Sequence, residues 1–134
     1  MSAPTKIAHI GIAVRSLDET LPFYRDQLGL EVEEILELPD RGLRIAMIPC
    51  GESILELMEP MSVDSQIGGF LEKRGPGIHH VCLGVEDIQG RLDSLAEQGG
   101  RLVNSTPEIG AEGCPVAFIH PRSTGGVLLE LIEE

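Results

Sequence analysis

Ile7-Ala8-His9-Ile10-Gly11-Ile12-Ala13-Val14 returns as Ile78-His79-His80-Val81-Cys82-Leu83-Gly84-Val85, with His9 and His80 71 residues apart. Further along, Ile54-Leu55-Glu56-Leu57 returns as Leu128-Leu129-Glu130-Leu131, and the two glutamates are 74 apart. A pattern repeated at a long, steady period marks a duplicated structural unit. Each stretch is short, apolar and rich in branched residues, and so predicts a β-strand. Side chains alternate across a strand, so His9 shares a face with Gly11 and Ala13, opposite Ile10, Ile12 and Val14. His80 likewise shares a face with Cys82 and Gly84, opposite Val81, Leu83 and Val85. The branched faces are expected to pack beneath helices, while the small-residue faces carry the imidazoles and leave room beside them.

Glu56 shares its face with Ile54 and Met58, and Glu130 with Leu128 and Ile132. Each is the one charge in an apolar strand. A lone buried carboxylate is costly, so an inward-facing glutamate here requires a metal or a hydrogen-bonded partner. Two imidazoles and two carboxylates in repeated register make His9, Glu56, His80 and Glu130 candidate ligands of one divalent cation. A nitrogen and oxygen donor set suits Co²⁺, Mn²⁺, Ni²⁺, Zn²⁺ or Fe²⁺.

Outward from these strands, each repeat reads β-α-β-β-β, an α+β fold in one domain of 134 residues. The first repeat spans about 6–60. Ser16 and Glu19 form a capping box, Leu17, Leu21, Tyr24 and Leu28 follow at helical spacing, and Gly29 suits the stop. Pro22 lies inside this helix and predicts a kink. Strands are expected at Leu30–Leu38, Leu43–Pro49 and Ser53–Met58, with turns at Pro39–Gly42 and Cys50–Glu52. The second repeat spans about 77–134. Asp87 takes the capping place of Ser16, Ile88, Leu92, Leu95 and Ala96 form the apolar stripe, and Gly99-Gly100 end it. Strands are expected at Arg101–Val103, Pro115–His120 and Gly126–Ile132. The linker, 62–76, predicts a short helix capped at Asp64 and carrying Ile67, Phe70 and Leu71. His79 is expected to be structural or at a rim, and His120, before a proline at a strand end, is a candidate rim residue.

The formal net charge is -12, which disfavours nucleic-acid and membrane-surface binding. No apolar run approaches a membrane span, and the N-terminus lacks a signal-peptide core; a cytoplasmic protein is expected. Three widely spaced cysteines, Cys50, Cys82 and Cys114, form no zinc-type pair and suit a reducing compartment.

The chain resembles the vicinal oxygen chelate superfamily, the glyoxalase and bleomycin-resistance group, over nearly its whole length. That resemblance implies a cupped, half-barrel-like mixed sheet built from the two βαβββ units, with helices outside. It also implies a metal held by His9, Glu56, His80 and Glu130. Within the superfamily, the methylmalonyl-CoA epimerase family is most similar, on three stretches: Phe70 to His80, Pro107 to Gly113, and His120-Pro121-Arg122-Ser123-Thr124-Gly125-Gly126 running on to Leu131. Glu56-Leu57-Met58-Glu59-Pro60 and Asp64-Ser65 also fit. The closer resemblance implies metal-dependent epimerisation of methylmalonyl-CoA at C2 through a stabilised enolate, with Co²⁺ favoured and a homodimer as the assembly. Glu130 and Glu56 are the candidate acid/base groups. His120, Arg122, Ser123, Thr124, Lys73 and Arg74 are candidate substrate-binding residues. Members with Gln at the Glu56 position pair it with a Glu where this chain has Ile45.

The same ligands would serve a glyoxalase I-type lyase acting on a glutathione hemithioacetal. An extradiol dioxygenase needs only two histidines and one carboxylate on iron, and a fourth ligand crowds its open positions. A metal-free binding module needs an aromatic-lined cleft, and the chain has no Trp, one Tyr and three Phe.

Overall fold

A computed structural model describes residues 2–134. The chain forms two compact units, one of His9–His79 and one that gathers the N-terminal residues up to Ala8 with His80–Glu134. The strands are β1 (Lys6–Ala13), β2 (Glu34–Leu38), β3 (Leu43–Cys50), β4 (Ser53–Pro60), β5 (Gly77–Gly84), β6 (Glu108–Ile109), β7 (Pro115–Ile119) and β8 (Leu129–Ile132). The α-helices are α1 (Leu17–Leu21), α2 (Gln66–Arg74), α3 (Ile88–Glu97) and α4 (Pro121–Thr124).

In the unit of His9–His79 the hydrogen-bonded order is β2-β3-β4-β1, with β1 and β4 parallel and the other pairs antiparallel. In the other it is β5-β8-β7-β6, with β5 and β8 parallel. The register repeats: Gly11 pairs with Glu56 as Cys82 pairs with Glu130, and Met47 pairs with Glu56 as Phe118 pairs with Glu130.

The cores repeat as well. Val14, Leu17, Leu21, Ala46, Ile48 and Leu57 form one buried cluster. Val85, Ile88, Leu92, Ala117, Ile119 and Leu131 form the other, each member 71 residues on from its counterpart and the last 74. The branched faces of β1 and β5 pack as expected, with Ile12 and Leu83 against clusters that contain the helix residues.

Helix starts follow the same duplication. Ser16 Oγ accepts from Glu19 N at 3.2 Å, and an Asp87 carboxylate oxygen accepts from Gly90 N at 3.2 Å. Asp87 takes a left-handed φ of 50°, which a short polar side chain tolerates. Gly90 is required there, since a Cβ would run into the Asp87 carboxylate. A second acceptor reaches each helix from a residue distant in sequence, Glu59 on β4 and Glu133 just past β8: Leu17 N donates to Glu59 Oε2 and Ile88 N to Glu133 Oε1, both at 2.7 Å. These bonds satisfy N–H groups that the first helical turn leaves without an intrahelical partner.

Several elements depart from the sequence expectation. The first helix becomes a π-helical turn at Pro22–Gln27, closed by Leu28 N donating to Phe23 O. Pro22 contributes no N–H and its ring crowds the preceding turn, which displaces the ordinary ladder. Strand β2 begins at Glu34 rather than Leu30. Helix α2 is capped one residue later than expected, by Ser65, whose Oγ accepts from Gly68 N at 3.0 Å. Arg101–Val103 contributes only a bridge between Leu102 and Ile119. Asn104 replaces a strand there, its Oδ1 accepting from Phe118 N at 2.8 Å. The paired strand is the short β6. Helix α4 intervenes after β7, and β8 starts at Leu129 because Gly125 and Gly126 turn with φ of 83° and 109°.

Candidate metal centre

Each unit buries one imidazole beside one carboxylate. In the first, His9 on β1 and Glu56 on β4 are both 4 % exposed, with Nδ1 to Oε2 at 3.4 Å. The parallel register sets Gly11, which has no side chain, directly beside Glu56, so the His9 ring two residues back meets the carboxylate. In the second, His80 on β5 is 5 % exposed and Glu130 on β8 is 7 % exposed, with Nε2 to Oε1 at 3.0 Å. The Phe118 ring meets the His80 ring edge to face, 5.7 Å between centroids, which restricts the imidazole's tilt.

The small-residue faces are therefore the more buried ones. His9, Gly11 and Ala13 are buried while Ile10 and Ile12 are only half-buried, and His80, Cys82 and Gly84 repeat the pattern. A carboxylate this deep is costly unless matched by positive charge or donors, and each has an imidazole within reach. Neutral imidazole nitrogen and carboxylate oxygen are the donors a borderline divalent cation takes. Each of these residues offers a candidate ligand atom, and the imidazole–carboxylate pair of each unit has the chemistry that such an ion takes.

The other expected site residues are placed differently. His79 stacks edge to face on Phe70 at 5.0 Å, and the Arg74 guanidinium lies 5.8 Å from the same ring, so both brace the end of α2. Lys73 is exposed in the last turn of that helix. His120 caps α4, its Nδ1 accepting from Arg122 N at 3.0 Å. Ser123 Oγ accepts from Arg101 N at 2.7 Å, and Thr124 Oγ1 donates to Pro121 O at 3.2 Å while accepting from Val127 N at 3.1 Å. Ser123 and Thr124 also line an open cleft of about 510 Å³ with Val81, Leu95, Ile119 and Leu129. By strand alternation, those strand residues face away from His80, Phe118 and Glu130.

Sequence reasoning missed Met47 and Phe118, which stand opposite the two glutamates. Their spacing of 71 matches that of the histidines and was the available signal.

Residues 8–118 match the family model described as Glyoxalase/Bleomycin resistance protein/Dioxygenase superfamily. The chain belongs to this superfamily. Among superfamily relatives, an ethylmalonyl-CoA/methylmalonyl-CoA epimerase of Cereibacter sphaeroides is 42% identical over 128 residues, covering 94% of this chain and 96% of that protein. A mitochondrial methylmalonyl-CoA epimerase of Mus musculus is 39% identical over 127 residues, covering 94% of this chain and 71% of that protein. A solved methylmalonyl-CoA epimerase in complex with methylmalonyl-CoA and NH4+ superposes with a TM-score of 0.89 at 36% identity, covering 98% of this chain and 96% of the other. The expected fold class, the superfamily and the kinship with epimerases are borne out. No helix among the described residues is long and apolar enough to cross a membrane.

Proposed function

We propose that this protein interconverts (R)- and (S)-methylmalonyl-CoA at C2, with one divalent cation ligated by His9, Glu56, His80 and Glu130. The observation that carries this is the buried imidazole–carboxylate pair that occurs once in each repeat, at 3.4 and 3.0 Å. The epimerase relatives across nearly the whole chain support it. A cation held there supplies a Lewis acid for the thioester and carboxylate oxygens of the substrate. C2 lies between those two groups, so its proton becomes removable once the growing charge is stabilised.

Epimerisation takes a proton from one face of C2 and returns one to the other. Glu130 and Glu56 do this work: each would help to hold the cation and would supply the carboxylate oxygen that takes or returns the C2 proton. Ile45 is buried and apolar, so the β3 side offers no further acid or base at that position. Lys73, Arg74, His120, Arg122, Ser123 and Thr124 bind the rest of the substrate, their cations offsetting the overall charge of -12. We assign a homodimer and a cytoplasmic location; three cysteines outside any disulfide are in keeping with a reducing compartment.

Glu130→Ala separates catalysis from assembly. Three ligands remain, so the ion is held more weakly but metal content by elemental analysis stays near that of the parent in buffer with excess metal, while deuterium incorporation at C2 of methylmalonyl-CoA falls by about 10²–10⁴-fold. Undiminished exchange removes Glu130 from the chemistry. A parent protein that exchanges no C2 proton refutes the proposal.

A further inference from the structure

The second repeat carries an opening at a place that the first repeat fills. Tyr24 and Leu30 pack on the buried cluster of the first repeat, with Leu55 beside them. The positions 71 residues on hold Leu95 and Arg101. Leu95 still packs on the second cluster, but it is smaller than tyrosine, and Arg101 is exposed. At this place lies the cleft of about 510 Å³, walled by Val81, Leu95, Ile119, Val127 and Leu129. That volume is in the range of small-molecule sites.

The chemistry of the cleft is one-sided. Its walls are aliphatic, and the hydroxyls of Ser123 and Thr124 already accept from backbone N–H groups. None of the described residues that line it is charged. Three residues with a formal charge adjoin the lining in the chain. Glu130 points to the other face of β8, Arg122 is assigned above to the substrate, and Arg101 has no part in that assignment. Arg101 is pinned at the edge: its N–H donates to Ser123 Oγ at 2.7 Å, and its carbonyl accepts from His120 N at 2.9 Å. An aliphatic slot with one guanidinium at its edge suits an apolar tail with a singly charged anionic head, and a guanidinium takes a carboxylate in fork geometry.

We infer that this cleft is a second binding site, taking an unbranched medium-chain monocarboxylate with its tail along Leu95, Val127 and Leu129 and its carboxylate at Arg101. Val81 and Leu129 face away from His80 and Glu130 by strand alternation, so the tail and the proposed cation do not compete. The site therefore stands or falls apart from the epimerase reading.

The test is isothermal titration calorimetry of the metal-loaded protein with hexanoate, octanoate and decanoate. Affinity should rise about fourfold for each added methylene until the cleft is filled. Octanol should bind about two- to fivefold more weakly than octanoate, the effect of one exposed charge contact. Arg101→Leu restores the residue of the first repeat; it should erase that difference and leave octanol binding as it was. Leu95→Tyr copies the side chain of the first repeat into the cleft and should abolish octanoate binding. Val127→Phe narrows the mouth from an exposed position, where substitutions seldom disturb folding, and should weaken octanoate too. Octanoate held by the cation would be lost on chelation, whereas octanoate in the cleft should keep its Kd after chelator treatment and in the presence of free CoA. The inference is overturned by absence of binding at about 1 mM decanoate, by affinity indifferent to tail length, or by loss on chelation. Displacement by CoA, or parental affinity in both Leu95→Tyr and Val127→Phe, overturns it equally. A parent that binds no carboxylate while Leu95→Tyr changes the sedimenting species assigns the cleft to a second copy of the chain instead. A parent that binds octanoate but exchanges no C2 proton refutes the epimerase reading and leaves this site standing.

Discussion

Glu59 and Glu133 occupy matched positions, three residues past Glu56 and Glu130, yet their work is structural. Each carboxylate accepts from the first helical N–H of its repeat, and Glu59 also meets Arg44 Nη1 at 3.1 Å. Negative charge at a helix N-terminus is favourable, and loss of a capping acceptor costs about 0.5–2 kcal/mol. Glu133→Ala should therefore lower unfolding stability by about 1 kcal/mol in urea titrations, with Glu133→Gln recovering most of it, since an amide oxygen still accepts. Equal stability of Glu133→Ala and the parent would show that water replaces the carboxylate without loss. The register of Glu56 and Glu130 was legible because the repeat displays it in sequence. The capping role was not, because the partners of Glu59 and Glu133 are 42 and 45 residues away and belong to tertiary packing. The position of Phe118 could be read from its spacing of 71 from Met47, but its contact with His80 could not, because the ring edge meets the imidazole only once β7 lies beside β8.

Among elements, the first helix separates what periodicity can and cannot foresee. Leu17, Leu21, Tyr24 and Leu28 fall on one α-helical stripe, and Ser16 caps as its type predicts. Pro22 marks the conflict but not its resolution. A π turn closes over five residues rather than four, so the chain beyond it lags behind the stripe. Leu21 stays buried and Leu28 emerges 57 % exposed. Leu21→Ala should cost about 2–5 kcal/mol, as for other buried leucines. Leu28→Ala should stay within about 0.5 kcal/mol of the parent, as exposed positions do. A comparable loss in both, measured by chemical denaturation, would mean that an ordinary helix persists to Leu28 in solution. The second repeat fails differently. Arg101–Val103 has strand-like residues, but the Asn104 side chain occupies the β7 backbone N–H that a longer strand would need, so pairing stops after one bridge.

For the whole molecule, the duplication determines how many ions the chain can hold. The buried clusters repeat position for position, and so do the imidazole–carboxylate pairs. Two readings follow from that symmetry alone: each pair holds its own ion, or the four groups share one. A single imidazole and a single carboxylate leave most of a divalent ion's coordination to water, which gives weak binding for metals that favour four to six ligands. An octahedral ion shared by the four groups would leave two positions for a two-oxygen chelate, as the proposed chemistry requires. Titration of the chelator-treated protein with Co²⁺ should therefore saturate at one ion per chain. Glu56→Gln and Glu130→Gln should each weaken that single event rather than abolish one of two. Added metal should raise the unfolding midpoint, since a ligand at about 100 times its Kd stabilises by about 2.7 kcal/mol. Saturation at two ions per chain, each lost independently with its own glutamate, would rule out the shared ion on which the proposed use of Glu56 and Glu130 on one substrate depends.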